Sequence, residues 1–423
     1  KILQVRNIDS FVESRRQKTS EKDKKTVQSI LNDVRKNGDS AVKKYERKFN
    51  GRNTSQLRVS EKEIKEALSK ISPEENESIG AVEYTLETAE EEMDNWCWSI
   101  PEYTGGLSYL TKSFVPIPSV GCYVPGGQAR YPSSVVMSVV PARKAGVKRI
   151  VVVSPPGPDG KIDPLTIAAA KKFGATEIYK IGGAQAIGAL AYGTKSIPKV
   201  DKIVGPGGKF VSIAKSLVSD QTAIDMVAGP TELGIMADAR SDPELVALDL
   251  ISQAEHSKDT MCFVITQSKT MAKQIQSSLE KLILGTERSS IIKESISKNG
   301  FIAVCKNQNE MIELANKIAP EHMELMVKNA RSLSKKITGA GLVLIGKNTP
   351  SAASDYILGT NHILPTNGFG RTRGGLSVLD FLKLQTTIES DKSALRHISD
   401  SLKALTDAEG LPNHYKAVKR RLD

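Results

Sequence analysis

Apolar residues recur at helical spacing through the first hundred residues of the chain. Between residues 20 and 48 they fall every three or four positions, which predicts one long amphipathic helix with a break at Gly38. The positions in this stripe are Val27, Ile30, Leu31, Val34, Ala41, Val42 and Tyr45. Residues 60–96 contain two further helical stretches, and the prolines and glycines of residues 97–119 predict an irregular boundary segment.

From residue 120 the pattern changes to short apolar strands that alternate with helices. After a first strand that ends near Tyr123, the predicted strands are 149–154, 177–181, 202–204, 232–237, 261–266, 301–305 and 341–345. Such alternation is typical of βαβ units in a parallel sheet. Because the pattern restarts after residue 231, we predict an α/β protein with two successive Rossmann-like parallel-sheet lobes.

The same pattern divides the chain into four parts. Residues 1–108 form a helical N-terminal region that we expect to pack on the second lobe, and residues 109–231 form the first α/β lobe. Residues 232–375 form the second α/β lobe, and residues 376–423 form a helical C-terminal tail. The tail is polar, so it needs a surface on which to pack.

Three glycine turns follow predicted strands of the first lobe, at residues 125–127, 182–185 and 205–208. Nucleotides usually bind at the carboxyl ends of parallel strands, against turns of this kind. None of the three fits GxGxxG, and GxxxxGK[ST] does not occur in the chain. Taken alone, each turn is better explained as a strand-to-helix connection in which glycine relieves backbone strain.

Composition excludes several classes of protein. The chain is 39% hydrophobic and 25% charged, as is ordinary for a soluble globular protein. No apolar run reaches the ~20 residues of a membrane span, and residues 1–6 lack the apolar core of a signal peptide. We therefore expect a cytoplasmic protein without a membrane partner. The four cysteines lack CxxC spacing, which argues against a thiolate zinc site or a disulfide framework.

The net charge of +11 is concentrated at the start of the chain, where residues 1–60 hold 16 Lys and Arg against 7 Asp and Glu. A basic segment is one mark of a nucleic-acid-binding protein. Here the basic residues are interleaved with acids, and few aromatic residues lie nearby, which is more typical of a solvated helix face. We expect no nucleic-acid partner and keep a basic nucleic-acid-binding scaffold as the non-enzymatic alternative.

The candidate chemistry centres on histidines. Residues 246–258 predict a short helix on which Gln253 and His256 share one face. An imidazole beside an amide oxygen can form half of a metal site, although such a pair is more often a surface hydrogen bond. Other histidines also lie near carboxylates in the sequence: His322 beside Glu321, His362 after Asp355, and His414 after Glu409. Together they predict either a divalent-metal site or an acid–base site.

Nine motifs spread from residue 120 to residue 414 closely resemble, in order, the signatures of the histidinol dehydrogenase family. They are VGCYVPGG (120–127), YPSS (131–134), GGAQAI (182–187), AGPTE (228–232), SQAEH (252–256), APEH (319–322), SD (354–355), NHILPT (361–366) and EGLPNH (409–414). The number and length of the matches make the resemblance specific.

The resemblance implies a zinc-dependent enzyme that ends histidine biosynthesis. It would oxidise L-histidinol to L-histidine through L-histidinaldehyde in two NAD-linked steps. At the matching positions, one Zn2+ per subunit would be held by Gln253, His256, Asp355 and His414. His322 would take the alcohol proton in the first hydride transfer, and Glu321 would activate water in the second. These roles suit the residues, because hydride leaves an alcohol only as the hydroxyl proton is removed.

The resemblance also implies the remaining contacts. Thr231, His362 and Glu409 would bind substrate together with the metal ligands and His322, and Tyr123, Gln185 and Gly208 would line the NAD site. Two positions depart from the usual motif. Thr231 stands where the family often has Ser and keeps the hydroxyl, whereas Gly208 stands where Asn is common, so backbone N–H groups would replace that contact. The implied assembly is an intertwined homodimer with shared active sites, in which the tail supplies Glu409 and His414 to the partner.

Two other enzymatic hypotheses come from the residues. Cys122 is a candidate covalent nucleophile of the kind that aldehyde dehydrogenases use, but no base flanks it in the sequence. A related metal-dependent dehydrogenase for another small alcohol, such as a sulfonated diol, would not need a metal that binds imidazole. The presence of both Glu409 and His414 favours histidinol.

Overall fold

The computed structural model describes residues 1–5, 7–16, 19–51, 56–97, 100–104, 108–126 and 130–423. The chain forms two compact units. One consists of Lys1–Glu90 and Ile117–Phe381, and the other of Glu91–Pro116 and Leu382–Asp423. The motif residues from Tyr123 to His362 belong to the first unit, and Glu409 and His414 belong to the second.

The N-terminal region is mostly helical. Its elements are β1 (Ile2–Leu3), α1 (Ile8–Arg15), α2 (Glu21–Asn37), α3 (Asp39–Asn50), α4 (Glu61–Leu68) and α5 (Pro73–Cys97). The predicted break at Gly38 is confirmed, because this glycine separates α2 from α3 at a φ of 52°, which glycine adopts without strain. The segment predicted as irregular instead forms two antiparallel strands, β2 (Ile100–Thr104) and β3 (Ser108–Pro116).

The first lobe is built on a five-stranded parallel sheet. Its elements are β4 (Ser119–Tyr123), α6 (Pro132–Lys144), β5 (Arg149–Ser154), α7 (Pro164–Phe173), β6 (Glu177–Lys180), α8 (Gly183–Tyr192), β7 (Lys202–Val204), α9 (Lys209–Val218) and β8 (Ala223–Ile224). The strand order is β6-β5-β4-β7-β8. Residues 150–154 of β5 are all buried, as expected for a parallel strand covered on both faces.

The second lobe repeats this arrangement. Its elements are β9 (Glu232–Ala237), α10 (Pro243–Ala254), β10 (Met261–Thr266), α11 (Lys269–Leu282), α12 (Ser289–Asn299), β11 (Phe301–Val304), α13 (Gln308–Ile318), β12 (His322–Met326), α14 (Ala330–Ser334), β13 (Leu342–Ile345) and α15 (Ser351–Ser354). The sheet order is β1-β11-β10-β9-β12-β13. Apart from the added edge strand β1, the two lobes have the same topology. In each lobe, the first strand lies in the centre of the sheet. The prediction of two successive parallel-sheet lobes is confirmed.

The C-terminal segment forms the second unit with β2 and β3. It consists of β14 (Leu382–Ser390), α16 (Lys392–Ala408) and α17 (Pro412–Leu422). The strand β14 was not predicted, although Leu382, Leu384 and Ile388 alternate with polar residues at the period of a strand. It pairs antiparallel with all nine residues of β3, and the two helices pack against each other.

The N-terminal region, which we expected on the second lobe, contacts both lobes. Strand β1 joins the second sheet and α1 packs on α13, whereas α2 packs on α8 and α9 of the first lobe. The apolar stripe of α2 enters the core of the first lobe, where Val27, Leu31 and Val34 are fully buried. Among the described residues, no helix is both long and apolar enough to span a bilayer.

The turn after β7 contains three glycines, and two of them, Gly205 and Gly208, lie in different environments. Gly205 has a φ of 108°, and a Cβ atom there would lie 2.1 Å from the carbonyl oxygen of Tyr123. Gly208 has a φ of −64° at the N-cap of α9, and no atom lies within 4 Å of its Cβ position. Of these two positions, only Gly205 therefore requires glycine.

We predict that Gly205→Ala lowers the free energy of unfolding by about 2 kcal/mol or more, because it combines backbone strain with a clash against backbone. Gly208→Ser is the matched control. It should change the free energy of unfolding by less than about 0.5 kcal/mol, because serine is favoured at helix N-caps. Urea unfolding of both variants measures the difference, and equal destabilisation would contradict it.

Candidate active site

The catalytic candidates lie at the amino ends of two strands in the second sheet. Thr231 and Glu232 are at the start of β9, and Glu321 and His322 are at the start of β12. The two strands are parallel neighbours, with His322 opposite Leu233. Glu321 and Glu232, which precede these two residues, are therefore neighbours across the strands. His322 begins a buried strand, although residues 322–326 were not among the predicted strands.

The cleft between the lobes is formed by opposite edges of the two sheets. The turns 182–185 and 205–208 follow β6 and β7, so they lie at the carboxyl edge of the first sheet. Residues of both lobes line two cavities there. One, of about 390 Å³, includes Gly208 and Ser257, and the other, of about 600 Å³, includes Tyr131 and His256.

A chain of hydrogen bonds runs through the hydroxyl group of Thr231. Gln253 Nε2 donates to Thr231 Oγ1 at 2.6 Å, and Thr231 Oγ1 donates to Glu321 Oε2. The backbone N–H of Glu232 also donates to Glu321 Oε2, at 2.9 Å. Because its nitrogen is engaged, the amide of Gln253 keeps its oxygen for another partner. Among the residues that the structure describes, this oxygen accepts only one long hydrogen bond, of 3.5 Å from Ser351 Oγ.

His322 and Asp355 face each other in the same site. His322 Nε2 lies 3.4 Å from Asp355 Oδ1, and His322 Nδ1 lies 4.0 Å from Glu321 Oε2. Neither ring nitrogen makes a well-formed hydrogen bond within the described residues, although the imidazole is buried. The contact with Asp355 is therefore mainly electrostatic.

Burial and charge set the proton affinities of this group. Burial would lower the pKa of His322, but Asp355, Glu321 and Glu324 outweigh it and raise that pKa to about 9. Burial raises the pKa of Glu321 above its ordinary value, against the opposing effects of His322 and the two hydrogen-bond donors. Burial also raises the pKa of Asp355, but the three histidines 322, 362 and 256 together lower it below its ordinary value.

His362 connects the two lobes. Its Nδ1 lies 2.8 Å from the carbonyl oxygen of Asp355, and its Nε2 lies 3.1 Å from Ser134 Oγ on α6 of the first lobe. Burial lowers the pKa of His362, which favours the neutral imidazole needed for these two contacts. His362 thus fixes the backbone at Asp355 relative to the first lobe.

The predicted metal ligands are divided between the two units. In the first unit, Gln253 lies in the last turn of α10, and His256 follows two residues after the helix ends at Ala254. Asp355 is the C-cap of α15, and its pKa responds to the charge of His256. His414 lies on α17 of the second unit and is exposed. Within the part of the chain that the structure describes, no three His, Cys, Asp or Glu side chains form a metal-binding group.

The helical geometry predicted for Gln253 and His256 is wrong in one respect, because the helix stops before His256. Glu255 caps it in an αR conformation, so the turn continues far enough for the His256 N–H to contact the Gln253 carbonyl at 3.2 Å. The two side chains still belong to one short segment. Glu255 and His256 are both exposed, whereas Gln253 is buried.

The predicted NAD-lining residues lie at the carboxyl edge of the first sheet. The hydroxyl group of Tyr123, at the end of β4, accepts from the Gly183 N–H at 3.1 Å. Gln185 is buried in the first turn of α8, and its Nε2 donates to Glu46 Oε1 at 2.8 Å. The structure therefore brings Tyr123 and Gln185 to the same helix start, and Gly208 lies at the N-cap of the next helix, α9.

Several residues of the site were not singled out from the sequence. Glu46 caps the start of α8 through the Gly182 N–H at 2.9 Å, and Ser134 holds His362. Glu232 is buried beside Glu321, and burial raises its pKa to about 8. Glu232 and Ser134 stand inside motifs quoted above, which is the one signal that marks them. Glu46 has no local signal, because it sits in an ordinary amphipathic helix.

Cys122 does not have the environment of a nucleophile. It is fully buried within β4, and burial raises the pKa of its thiol to about 12. A thiolate is the reactive form of cysteine, and it is not populated at neutral pH with such a pKa. This observation removes the covalent hypothesis.

Comparisons with known proteins point to one family. The Histidinol dehydrogenase family profile matches residues 13–422. The histidinol dehydrogenase of Methanococcus maripaludis is 45% identical over 401 residues, which are 94% of this chain and 93% of that protein. That of Geobacillus kaustophilus is 38% identical over 423 residues, which are 100% of this chain and 99% of that protein. The chain belongs to the histidinol dehydrogenase family.

A solved structure of this family extends the likeness to the fold. The crystal structure of histidinol dehydrogenase from Elizabethkingia anophelis has a TM-score of 0.91 to this chain at 33% identity, and covers 98% of this chain and 96% of that one. The family resemblance inferred from the nine motifs is confirmed. The match also includes both compact units, so the histidinol dehydrogenase likeness is not limited to the two parallel-sheet lobes.

Proposed function

We propose that the chain oxidises L-histidinol to L-histidine through L-histidinaldehyde, with NAD as hydride acceptor and one zinc ion per active site. Membership in the histidinol dehydrogenase family supports an oxidoreductase of histidine biosynthesis. The observation that carries the proposal is the buried Glu321–His322 pair, which supplies two distinct proton acceptors and is joined through Thr231 to the candidate ligand Gln253.

The donor set of the first unit fits a zinc ion in its chemistry. An amide oxygen, an imidazole nitrogen and a carboxylate are ligand types that zinc accepts. Gln253 presents its oxygen because Thr231 engages its nitrogen, and the carboxylate of Asp355 has its pKa lowered and so stays ionised. Gln253, His256 and Asp355 would hold the metal, and His414 would complete the set. Bound zinc would orient the imidazole and the amine of the substrate.

His322 would act in the first oxidation. The alcohol carbon loses hydride while its hydroxyl loses a proton, and His322 would accept this proton at Nε2, the nitrogen that faces Asp355. In the structure, Asp355 is one cause of the raised pKa of His322. Asp355 would lose this effect when its charge is shared with a cation, which would free the neutral imidazole to act as a base.

Glu321 would act in the second oxidation. Two donors hold its Oε2, which leaves Oε1 to remove a proton from the water that attacks the aldehyde. The raised pKa of Glu321 makes this carboxylate a stronger base than an exposed one. The resulting hydrate then loses hydride to give the carboxylate of the product. NAD, when bound, would supply the hydride acceptor, one molecule for each step.

The first sheet would bind NAD and the second unit would complete the substrate site. Tyr123, Gln185 and the turn 205–208 lie along one edge of the first sheet, as expected for a nucleotide site in a parallel-sheet protein. Thr231 and His362 would contact substrate within the first unit. We propose that Glu409 and His414 reach the site of a partner subunit in a homodimer.

The direct test is the stoichiometry of NADH formation. We predict two NADH for each L-histidinol consumed by the zinc-loaded protein, because the alcohol and the aldehyde are oxidised in turn. A sulfonated diol should give no turnover above background, because it lacks the imidazole that the metal would bind. Turnover of the diol without turnover of histidinol would favour the related-dehydrogenase alternative, and one NADH per histidinol would contradict the second step.

Thr231 allows a matched test of the metal site. Thr231→Val keeps the shape of the side chain but removes the hydroxyl, so Gln253 Nε2 loses its acceptor and its amide is no longer held in one orientation. We predict that zinc affinity falls by roughly 10- to 100-fold. Thr231→Ser retains the hydroxyl and should stay within about threefold of the parent. Zinc titration against a competing chelator measures both, and an unchanged affinity in Thr231→Val would contradict the role of this hydroxyl.

A further inference from the structure

A fully enclosed ion pair lies beneath the turn 205–208 that the proposed function assigns to NAD. Lys215, on α9, pairs with Asp225, which follows β8, and their side chains are only 2% and 0% exposed. By comparison, the side chains of the Lys180–Glu63 pair are 10% and 20% exposed, and those of the Arg149–Glu177 pair are 24% and 14% exposed. The Lys215–Asp225 pair is therefore enclosed much more completely than these two.

The pair binds both the backbone N–H and the backbone carbonyl of Gly205. Lys215 Nζ donates to the Gly205 carbonyl at 2.9 Å, and the Gly205 N–H donates to Asp225 Oδ2 at 2.8 Å. Gly205 also lies directly against the backbone of Tyr123, as its lack of room for a Cβ atom shows. The two charges thus fix the first residue of the turn against the end of β4.

The same aspartate fixes the start of the segment that leads to the catalytic strand. Asp225 Oδ1 accepts from the Met226 N–H at 2.5 Å, and the Asp225 carbonyl accepts from Arg373 Nη1. Residues 226–230 then run directly to Thr231, whose hydroxyl binds Glu321. One buried pair therefore connects the turn of the first sheet with the entry to β9.

Stability alone is a poor explanation for such a pair. Removing two charges from water is costly, and apolar pairs of similar size are often at least as stabilising in the same place. What an apolar pair cannot do is bind both the N–H and the carbonyl of one glycine. The geometry points to a positioning function.

We propose that the Lys215–Asp225 ion pair positions the glycine turn 205–208 for binding of NAD. This rests on the proposed function, in which that turn contacts the dinucleotide. Neither residue lines the two cavities between the lobes, so both act through the backbone they hold rather than by touching NAD. Loss of the pair should raise KM for NAD much more than KM for L-histidinol.

The test compares Lys215→Met with a control at the opposite edge of the same sheet. Arg149 and Glu177 form an ion pair at the amino ends of β5 and β6, with 24% and 14% side-chain exposure. Arg149→Met also removes the cation from a largely buried pair, but it leaves the turn untouched. We expect Lys215→Met to raise KM for NAD by roughly ten- to a hundredfold while KM for L-histidinol stays within about threefold. Arg149→Met should leave both KM values within about twofold.

Hydrogen exchange supplies a readout that does not need activity. The amides of residues 203–205, 207–208 and 225–228 should lose protection in Lys215→Met and keep it in Arg149→Met. If Lys215→Met does not fold, Asp225→Asn removes the charge with little change in shape and should give the same pattern with smaller shifts. Equal effects of the two sites on KM for NAD, or unchanged protection of the turn, would overturn the proposal. Absence of NAD-linked activity in the parent chain would count against the proposed function, and the exchange comparison would still decide whether the pair holds the turn.

Discussion

The hydroxyl group of Thr231 is the point on which the candidate site depends. It accepts from the amide of Gln253 and donates to the carboxylate of Glu321, so one oxygen atom sets the orientation of a candidate metal ligand and of a candidate base. Valine could fill the same volume, but it could neither accept a hydrogen bond from Gln253 nor donate one to Glu321. Threonine supplies the hydroxyl group that both contacts need.

The two lobes share a topology but use opposite edges of their sheets. In the first lobe, the turns after β6 and β7 face the cleft, as the carboxyl-edge rule for parallel sheets predicts. In the second lobe, the corresponding carboxyl edge is occupied by Asp238, which accepts from the N–H groups of Arg240 and Lys328. The functional groups instead start β9 and β12. The general rule therefore locates the proposed nucleotide half of the site and misses the candidate catalytic half.

Much of the fold could be predicted from the sequence because the buried parallel strands carry uninterrupted apolar runs. The strands 149–154, 202–204, 232–237 and 261–266 have the predicted bounds. The strand β12 was missed because it contains His322 and Glu324, polar residues that local patterns assign to loops. The strands β2 and β3 were missed because prolines and glycines dominate that segment, and β14 because its alternation was overlooked.

The candidate site could be predicted only as a set of motifs. Composition and spacing identified Gln253, His256 and the acid–histidine pairs as candidates. No local pattern predicted that Asp355 lies beside His322. That contact joins residues far apart in the sequence, as does the contact of Ser134 with His362. Partnerships of this kind depend on how the two sheets meet, which no periodicity encodes. The proposed roles of the site residues come from the family resemblance. The structure adds the hydrogen bonds of Thr231 with Gln253 and Glu321, and the binding of Gly205 by the Lys215–Asp225 pair.

The division of proton chemistry between His322 and Glu321 is the central claim, and the variant Glu321→Gln tests it most directly. Rates of NADH formation from L-histidinol and from L-histidinaldehyde should be measured separately for this variant, with Glu255→Gln as an exposed control. Oxidation of the aldehyde is expected to fall by roughly 100-fold or more, while oxidation of the alcohol falls by less than about tenfold. Equal losses in the two reactions would contradict this claim.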